Sequence, residues 1–335
     1  MAPLVSVIMP VYNHGPWCEQ AAASVLRQTL GDLEIVAVDD GSEDDGAARL
    51  ERMGCADSRL RVLSVEHGGI AAALRAGISA ASGRYLARMD ADDVSMPRRI
   101  EKQVAVLAAH PDVGAVDCLV DLEVSPFTGR GMVEYVEWLN SLVGSGGIAA
   151  NLFVESPLVH PAVCMTREAY AASGGYLDER CPEDYSLWLR MAAAGFRLEK
   201  VPEVLLRWRD LESRLTRTDG NYSPPAIAAL KARMLPRVHP RALSGVSMWG
   251  AGEAGKRMAR LLAGHGVQVR RFFDIDPRKV GNRILGSPVL GVEAVAEHRG
   301  DLLLVAVGVR TAKALIRGFL AERGFVELDD YVLMA

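Results

Sequence analysis

GGIAAALRAGISAASGRYLARMDADD, residues 68–93, is the stretch that decides the fold. Gly68-Gly69 opens an apolar run with helical spacing, and Gly83 is placed to stop it. The run Tyr85–Met89 then carries the chain toward a core as a β-strand. It delivers Asp90, Asp92 and Asp93, three carboxylates within four positions, to the strand's end.

The same rhythm surrounds this unit. LVSVIMPVY (4–12) reads as a buried strand, and Trp17, Ala21, Val25 and Gln28 mark one face of a helix after Gly15-Pro16. LEIVAVDD (33–40) is the next strand, and a short helix around 47–53 leads to RLRVLSV (59–65). Beyond the aspartates, Ser95 is placed to cap a helix on which Ile100, Val104 and Leu107 share a face, until His110-Pro111 ends it. Four β-then-α units in the first third of the chain predict a largely parallel sheet with helices on both faces. Ligands of such sheets bind beyond the carboxyl ends of the strands. Tyr12-Asn13, Asp39-Asp40 and the Asp90 cluster all fall on that edge.

From 113 to 210 the pattern loosens, with a strand VGAVDCLVDLE, a helical segment MVEYVEWLNSLV and a helix EDYSLWLRMAAAG closed by Gly195. Residues 216–244 mix turn formers with one helical run, AIAALKARML, and read as a linker. A second αβ pattern follows: GVSMWGAG, EAGKRMARLLAGHG, VQVRRFFDID, then DLLLVAVG and a further helix. The expectation is an α/β domain over 1–215, a linker over 216–244 and a smaller α/β domain over 245–335, each with its own sheet.

Composition narrows the function. With 335 residues, half of them apolar, the chain can bury two cores. Its 38 basic and 42 acidic residues argue against a nucleic-acid partner. The five cysteines are odd in number and form no CxxC pair, which points to reduced, buried thiols in a cytoplasm. No basic stretch precedes an apolar core at the N-terminus, and no apolar segment approaches the ~20 residues that span a bilayer. The chain is expected in the cytoplasm, with peripheral docking on the inner face of the plasma membrane as its one route to a lipid surface.

Carboxylates as close as Asp90, Asp92 and Asp93 repel one another unless a cation sits among them. Asp90-x-Asp92 offers hard oxygen ligands suited to Mg²⁺ or Mn²⁺ holding a diphosphate. The same triplet also fits a solvated acidic turn, with Asp93 supporting the helix that follows.

Four motifs in order, VSVIMPVYN, EIVAVDDGS, GGIAAALRAGISAASGRYLARMDADD and PEDYSLWLRM, resemble family 2 glycosyltransferases of the GT-A fold over residues 4–210. The resemblance implies a mostly parallel sheet flanked by helices. It implies metal-dependent, inverting transfer of a sugar from a nucleotide-diphosphate donor, a UDP-sugar foremost, to a hydroxyl of a glycan or lipid-linked acceptor, in cell-surface polysaccharide or glycolipid assembly. By the same resemblance Pro10, Val11, Tyr12 and Asn13 surround the nucleoside, Asp40 with Asp39 accepts from the base edge, and Asp90 and Ala91 lie along the nucleotide. Asp92, with Asp90, is the metal ligand, Mn²⁺ or Mg²⁺. Asp184 is the catalytic base beside Glu183. His160 is a metal or phosphate ligand, or else a hydrogen-bonded structural histidine. Gly174-Gly175-Tyr176 falls beside the acceptor, and Arg207 and Arg209 fall where relatives close on the diphosphate, with Asp210 in place of a histidine. Arg75 replaces a common asparagine.

Two other readings share parts of this pattern. A sugar nucleotidyltransferase would need a glycine-rich, arginine-bearing loop after the first strand, which PVYNHGPW lacks. A nucleotide-sugar sensor would keep the fold without the chemistry, and the intact Asp92 and Asp184 speak against it. In the second domain Gly250, Gly252 and Gly255 fit GxGxxG between a strand and a helix, with Asp274 where a ribose-binding acid belongs. The segment resembles Rossmann-like domains attached to bacterial sugar-modifying enzymes. Without a Tyr-x-x-x-Lys pair, structural or regulatory binding of a nucleotide or dinucleotide is expected rather than dehydrogenation.

Overall fold

The structure, a computed structural model, describes every residue except Met1 and the side chain of Arg310. The chain falls into two compact units, one made of residues up to Ile148 with Pro157–Asp219, the other of Ala149–Ser156 with Gly220–Ala335.

The first unit is built on β1 (Val5–Val11), β2 (Leu33–Asp39), β3 (Leu60–Ser64), β4 (Tyr85–Arg88), β5 (Val94–Ser95), β6 (Val113–Glu123), β7 (Cys164–Thr166) and β8 (Arg197–Arg209). They form one sheet in the order β3-β2-β1-β4-β7-β6-β8-β5. β3, β2, β1 and β4 are parallel. β7 runs antiparallel to both its neighbours, and β5 antiparallel to β8. Helices Gly15–Leu26, Gly46–Ala56 and Ile70–Ala80 make the crossovers between the first four strands. With helices over both faces, β1 and β2 have no polar side to show and read as near-continuous apolar runs. Gly77 lets its helix lie close: a Cβ there would come 2.6 Å from Ile8 Cγ2 and 2.8 Å from Val38 Cγ2.

β1 is followed by β2 on one side, yet β4 is laid on its other side. The sheet order reverses there, so the loops after β1 and β4 diverge and leave a crevice at their carboxyl ends.

Ser95 does not cap the next helix. It lies in β5, and the helix starts at Arg99. Gln28 serves that helix end instead: its Oε1 accepts the Ile100 N–H at 3.0 Å, and its Nε2 donates to Ser95 Oγ at 3.0 Å and the Met96 carbonyl at 2.7 Å.

Where β6 and β8 run side by side, Lys200 and Asp117 form an ion pair at 3.2 Å with both side chains wholly buried. Lys200 also donates to the carbonyls of Leu139 (2.9 Å) and Pro157 (3.3 Å), while Asp117 accepts the N–H groups of Cys118 (2.7 Å) and Val159 (2.9 Å). Each charge is hydrogen-bonded as well as neutralised, which offsets the cost of its burial and makes loss of either partner alone destabilising.

The second unit contains β9 (Val246–Trp249), β10 (Val269–Asp274), β11 (Arg283–Ile284), β12 (Ser287–Gly291), β13 (Leu302–Val305) and β14 (Tyr331–Leu333), ordered β11-β12-β10-β9-β13-β14. All neighbouring pairs but β11 with β12 are parallel. Trp249, Phe273, Leu303, Val305 and Leu333 centre its core.

The stretch 216–244, expected as a linker, holds the 15-residue helix Pro224–Val238, and from Gly220 on it belongs to the second unit. Pro224 and Pro225 signal a turn in sequence, but at the first helical positions their missing N–H costs nothing. Lys231 of this helix donates to the carbonyls of Val154 (2.7 Å) and Met334 (3.3 Å), and burial draws its pKa down to about 8. Phe153, 1% exposed, stacks at a tilt on His239. Residues 149–156 are thus part of this unit's interior.

Candidate active site

Strand periodicity puts Arg88 and Asp90 on one side of the sheet. The Arg88 guanidinium, 2% exposed, ion-pairs with Asp90. One ligand oxygen from each of Asp90, Asp92 and Asp93 falls within 4.8 Å of the others. Burial, then the charge of Asp90, pushes the Asp92 carboxyl up to about 6. Asp93 is fully buried and raised for the same reasons. Its Oδ1 accepts the Arg209 N–H at 2.9 Å, and its Oδ2 has no partner among the described residues. Three crowded hard oxygens, one of them orphaned, fit a divalent cation.

Arg209 does not face that corner as a free cation. It donates to the Asp92 carbonyl (2.6 Å), Gln20 Oε1 (2.7 Å) and Glu123 Oε1 (3.2 Å), and lies 4.5 Å over the Trp17 ring. It braces the aspartate turn. Arg207 pairs loosely with Asp121 at 3.6 Å, and Asp210 is buried against Arg214 and Arg217.

Glu183 and Asp184 open the helix Glu183–Ala193, anchored by Leu187, Trp188 and Met191, all 0% exposed. Asp184 Oδ1 accepts the Tyr185 N–H at 2.6 Å. Burial, then the charge of Glu183, pushes the Asp184 carboxyl up to about 6, against the pull of His160 and Arg88. A carboxylate of that strength is ionised at neutral pH and is a better proton acceptor than an ordinary aspartate.

His160 Nε2 is 2.7 Å from the Tyr176 hydroxyl and its Nδ1 3.4 Å from Glu183 Oε1, so both ring nitrogens have partners within the protein. Tyr176, the aromatic of the Gly174-Gly175 turn, is buried with it, and burial holds its hydroxyl well above the usual range.

Of the residues read as nucleoside-binding, Tyr12 is exposed and stacks on His67 at 4.2 Å. Pro10 is half-buried beside it, and Ala91 is buried between the aspartates. Val11 is a core residue, 1% exposed, so its side chain faces the sheet's packing and not a ligand. Asn13 adopts φ +56° and ties two loops, donating its N–H to Ser42 Oγ (3.1 Å) and accepting from Glu43 N–H (2.8 Å). Asp39 accepts the Ser42 N–H at 3.1 Å. Asp40 is more occupied: its two oxygens accept the N–H groups of Gly68 and Gly69, each at 2.9 Å, and thereby hold the turn that starts helix Ile70–Ala80.

The sequence pattern of glycosyl transferase family 2 matches residues 6–171. The amylovoran biosynthesis glycosyltransferase AmsE of Erwinia amylovora is 30% identical over 236 residues, 69% of this chain and 86% of that protein. An uncharacterized glycosyltransferase of Haemophilus influenzae is 31% identical over 213 residues, 62% of this chain, and the match spans 65% of that protein. The chain belongs to glycosyltransferase family 2. A mannosyltransferase of Pyrobaculum calidifontis, solved in complex with GDP-Man and Mn²⁺, superposes with a TM-score of 0.53 at 22% identity, covering 79% of this chain and 70% of that one. The mostly parallel, helix-flanked sheet of this glycosyltransferase is therefore the GT-A fold.

Two residues near the glycosyltransferase's acidic clusters carried no signal in sequence. His14, in the loop after β1, has a buried Nδ1 without a hydrogen-bond partner, and its charge bears on Asp92. Arg88 was hidden in a strand. Both gain their meaning from contacts across the fold, and only the placing of a basic group two residues before Asp90 could have flagged the second. Arg75 likewise has a buried Nη1 with no partner.

In the second unit the three glycines meet three different demands. Gly250 has φ +110°, closed to ordinary residues. Gly252 has open space where a Cβ would go. Gly255 is pressed against β9, so a Cβ would collide with the Gly250 carbonyl oxygen. Asp274 is occupied by the N–H groups of Ala251 and Asp276 (both 2.9 Å) and by Lys279 Nζ (3.0 Å), and these hold its carboxyl below the usual range despite burial. Gly255→Ala is expected to cost about 1–3 kcal/mol of stability by overpacking. Gly252→Ala, at the N-cap with open space for a Cβ, should cost less, about 0.5–1 kcal/mol. Denaturant melts of the two variants check this; equal losses would show that the tight turn is not what Gly255 supplies.

Proposed function

We propose that the chain is a metal-dependent, inverting glycosyltransferase that moves a sugar from a nucleotide-diphosphate donor, a UDP-sugar foremost, to a hydroxyl of a glycan or lipid-linked acceptor in cell-surface polysaccharide or glycolipid assembly. One observation carries the reading: Asp90, Asp92 and Asp93, at the end of β4, bring ligand oxygens within 4.8 Å of one another. The amylovoran name of the Erwinia relative supports the polysaccharide setting.

Asp90 and Asp92 would hold Mn²⁺ or Mg²⁺, with the orphaned Asp93 oxygen behind them. The cation would supply the positive charge that a departing diphosphate requires. Tyr12 offers the exposed ring on which the base stacks, with Asp39 and Asp40 at the base edge, Pro10 and Asn13 at the ribose side, and Ala91 along the diphosphate. Asp184 takes the proton of the acceptor hydroxyl as its oxygen attacks the anomeric carbon. The sugar–phosphate bond breaks in the same displacement, the electron pair leaving with the nucleoside diphosphate, and holding the reactants in line supplies much of the rate. Glu183, tethered to His160, keeps Asp184's carboxyl basic by its charge.

The second unit fits a Rossmann-like nucleotide-binding domain in which Gly250, Gly252 and Gly255 shape the phosphate turn. With Asp274 already held by Lys279, a structural or regulatory role suits it better than dinucleotide redox chemistry. No helix among the described residues is long and apolar enough to cross a membrane, in keeping with a cytoplasmic enzyme that meets lipid-linked acceptors peripherally.

The test is thermal stabilisation by nucleoside diphosphates with and without Mn²⁺. UDP at 100 times its Kd should stabilise by about 2.7 kcal/mol, only when Mn²⁺ is present, and not in Asp92→Asn. If UDP and GDP both leave the melting curve unmoved in Mn²⁺, the donor assignment is lost.

A further inference from the structure

The loop after β1 and the turn before helix Ile70–Ala80 meet in a pair of rings. Tyr12 and His67 stack with centroids 4.2 Å apart and planes 21° from parallel. Neither ring belongs to the core: Tyr12 is 41% exposed and the His67 side chain 54%. His67 Nδ1 lies 2.9 Å from the Asp40 carbonyl oxygen and 3.0 Å from Asp40 Oδ2. Both of those atoms are acceptors, so Nδ1 carries a proton and donates it to Asp40. Nε2 has no partner among the described residues. The backbone under the ring is fixed. A Cβ on Gly41, at φ +73°, would come 3.1 Å from the His67 nitrogen and 3.2 Å from its Cβ, and the Asp40 carboxylate holds the Gly68 and Gly69 N–H groups at 2.9 Å each. The freedom that remains is rotation of the imidazole about its side-chain bonds.

We propose that His67 is a placeholder for the donor's base: its imidazole occupies the nucleoside site of the free protein, lying on Tyr12 and giving an N–H to Asp40, and it swings out when the base arrives. The proposal rests on the reading of Tyr12 and Asp40 as base-binding residues and adds to them a third residue that competes for the same site.

The two contacts that His67 makes are the two which that reading assigns to the base. A uracil ring brings the same pair in one plane, a flat face for Tyr12 and an imide N–H for a carboxylate. With 4.2 Å between the centroids nothing fits between Tyr12 and His67, since a stacked ring needs about 3.5 Å on each side, so a base that lies on this face of Tyr12 has to displace the imidazole. Displacement costs little: the His67 side chain is already half in water, and its N–H finds solvent when it leaves Asp40. Asp40, 3% exposed, passes from one N–H donor to another and is not left buried and short of a partner at either end of the exchange. The ring acts as a conformational gate, and the apparent Kd of the donor exceeds the intrinsic one in inverse proportion to the fraction of molecules whose ring is swung out.

The experiment uses the full-length protein in Mg²⁺, with UDP and inorganic pyrophosphate as the two probes. Nuclear Overhauser contacts should join the Tyr12 and His67 ring protons in the free protein. UDP should abolish them, and pyrophosphate, which brings the charge without a base, should leave them in place; this readout needs no substitution. His67→Ala should bind UDP about 3–10-fold more tightly than the wild type, and pyrophosphate equally well. Ring contacts that persist in saturating UDP, a His67→Ala protein that binds UDP no more tightly, or one that gains as much for pyrophosphate overturns the placeholder and leaves the donor reading standing. If neither the wild type nor His67→Ala takes up UDP, the donor reading falls and the placeholder falls with it.

Discussion

Asp184→Asn is expected to lower turnover about 10²–10⁴-fold and, at the same time, to make the protein more stable. The first effect follows because an amide cannot take the acceptor's proton. Donor binding should survive, since Asn keeps an oxygen for the Tyr185 N–H that Asp184 now accepts at 2.6 Å. The second effect follows from the raised carboxyl. A folded-state pKa near 6 lies above the ordinary aspartate value, so the fold favours the protonated form. The stability this group contributes is fully present below the unfolded pKa and is lost as pH rises through about 6. At neutral pH the native protein therefore carries an unfavourable ionised group, and Asn removes it, a gain on the order of 1–2 kcal/mol after allowance for solvent. The same titration sets the pH profile: wild-type kcat/KM should fall tenfold per unit below about pH 6 and level off above it. Steady-state rates and thermal melts check both halves. Wild-type turnover in the Asn variant would remove Asp184 from the chemistry.

Lys200→Met should cost about 3–5 kcal/mol of stability. The loss does not come from the attraction between Lys200 and Asp117 alone. It comes from leaving Asp117, wholly buried, with a charge and two N–H donors but no cation. Burial already lifts that carboxyl, and Lys200, together with the Val159 and Cys118 N–H groups, opposes the rise. Adding Asp117→Asn should recover at least half of the loss, because the amide oxygen still accepts one of the backbone N–H groups and no charge remains. Urea denaturation of the two single variants and the double variant tests this. A double variant as unstable as the sum of the singles would mean that the two residues act independently.

The parts of the fold that sequence pattern revealed are those whose periodicity is self-contained. VGAVDCLVDLE is β6 to the residue, and EDYSLWLRMAAAG contains the helix Glu183–Ala193. β5 and β7, two and three residues long, are too short to show alternation, and they are the strands that turn a parallel sheet into a mixed one. The capping of helix Arg99–Ala109 by Gln28 joins residues 72 apart, beyond any local motif. The acidic residues of the site stood out because charge at a strand end is conspicuous. The partners of other groups did not: His160 was named without its contacts to Tyr176 and Glu183, Arg88 pairs with Asp90 from within a strand, and Val11, implied by the resemblance to lie at the nucleoside, is packed in the core.

Residues 149–156 leave one compact unit, enter the other and return, so the polypeptide passes between the two three times. Gene fragments that stop after Asp219 would consequently translate a segment whose Phe153 and Val154 have lost the neighbours they pack against. Such fragments should expose sticky surface, invite chaperones and precipitate. Any search for this protein's activity is better made on the uncut polypeptide, and shuffling of its catalytic half onto other carriers would have to bring that short excursion's host along.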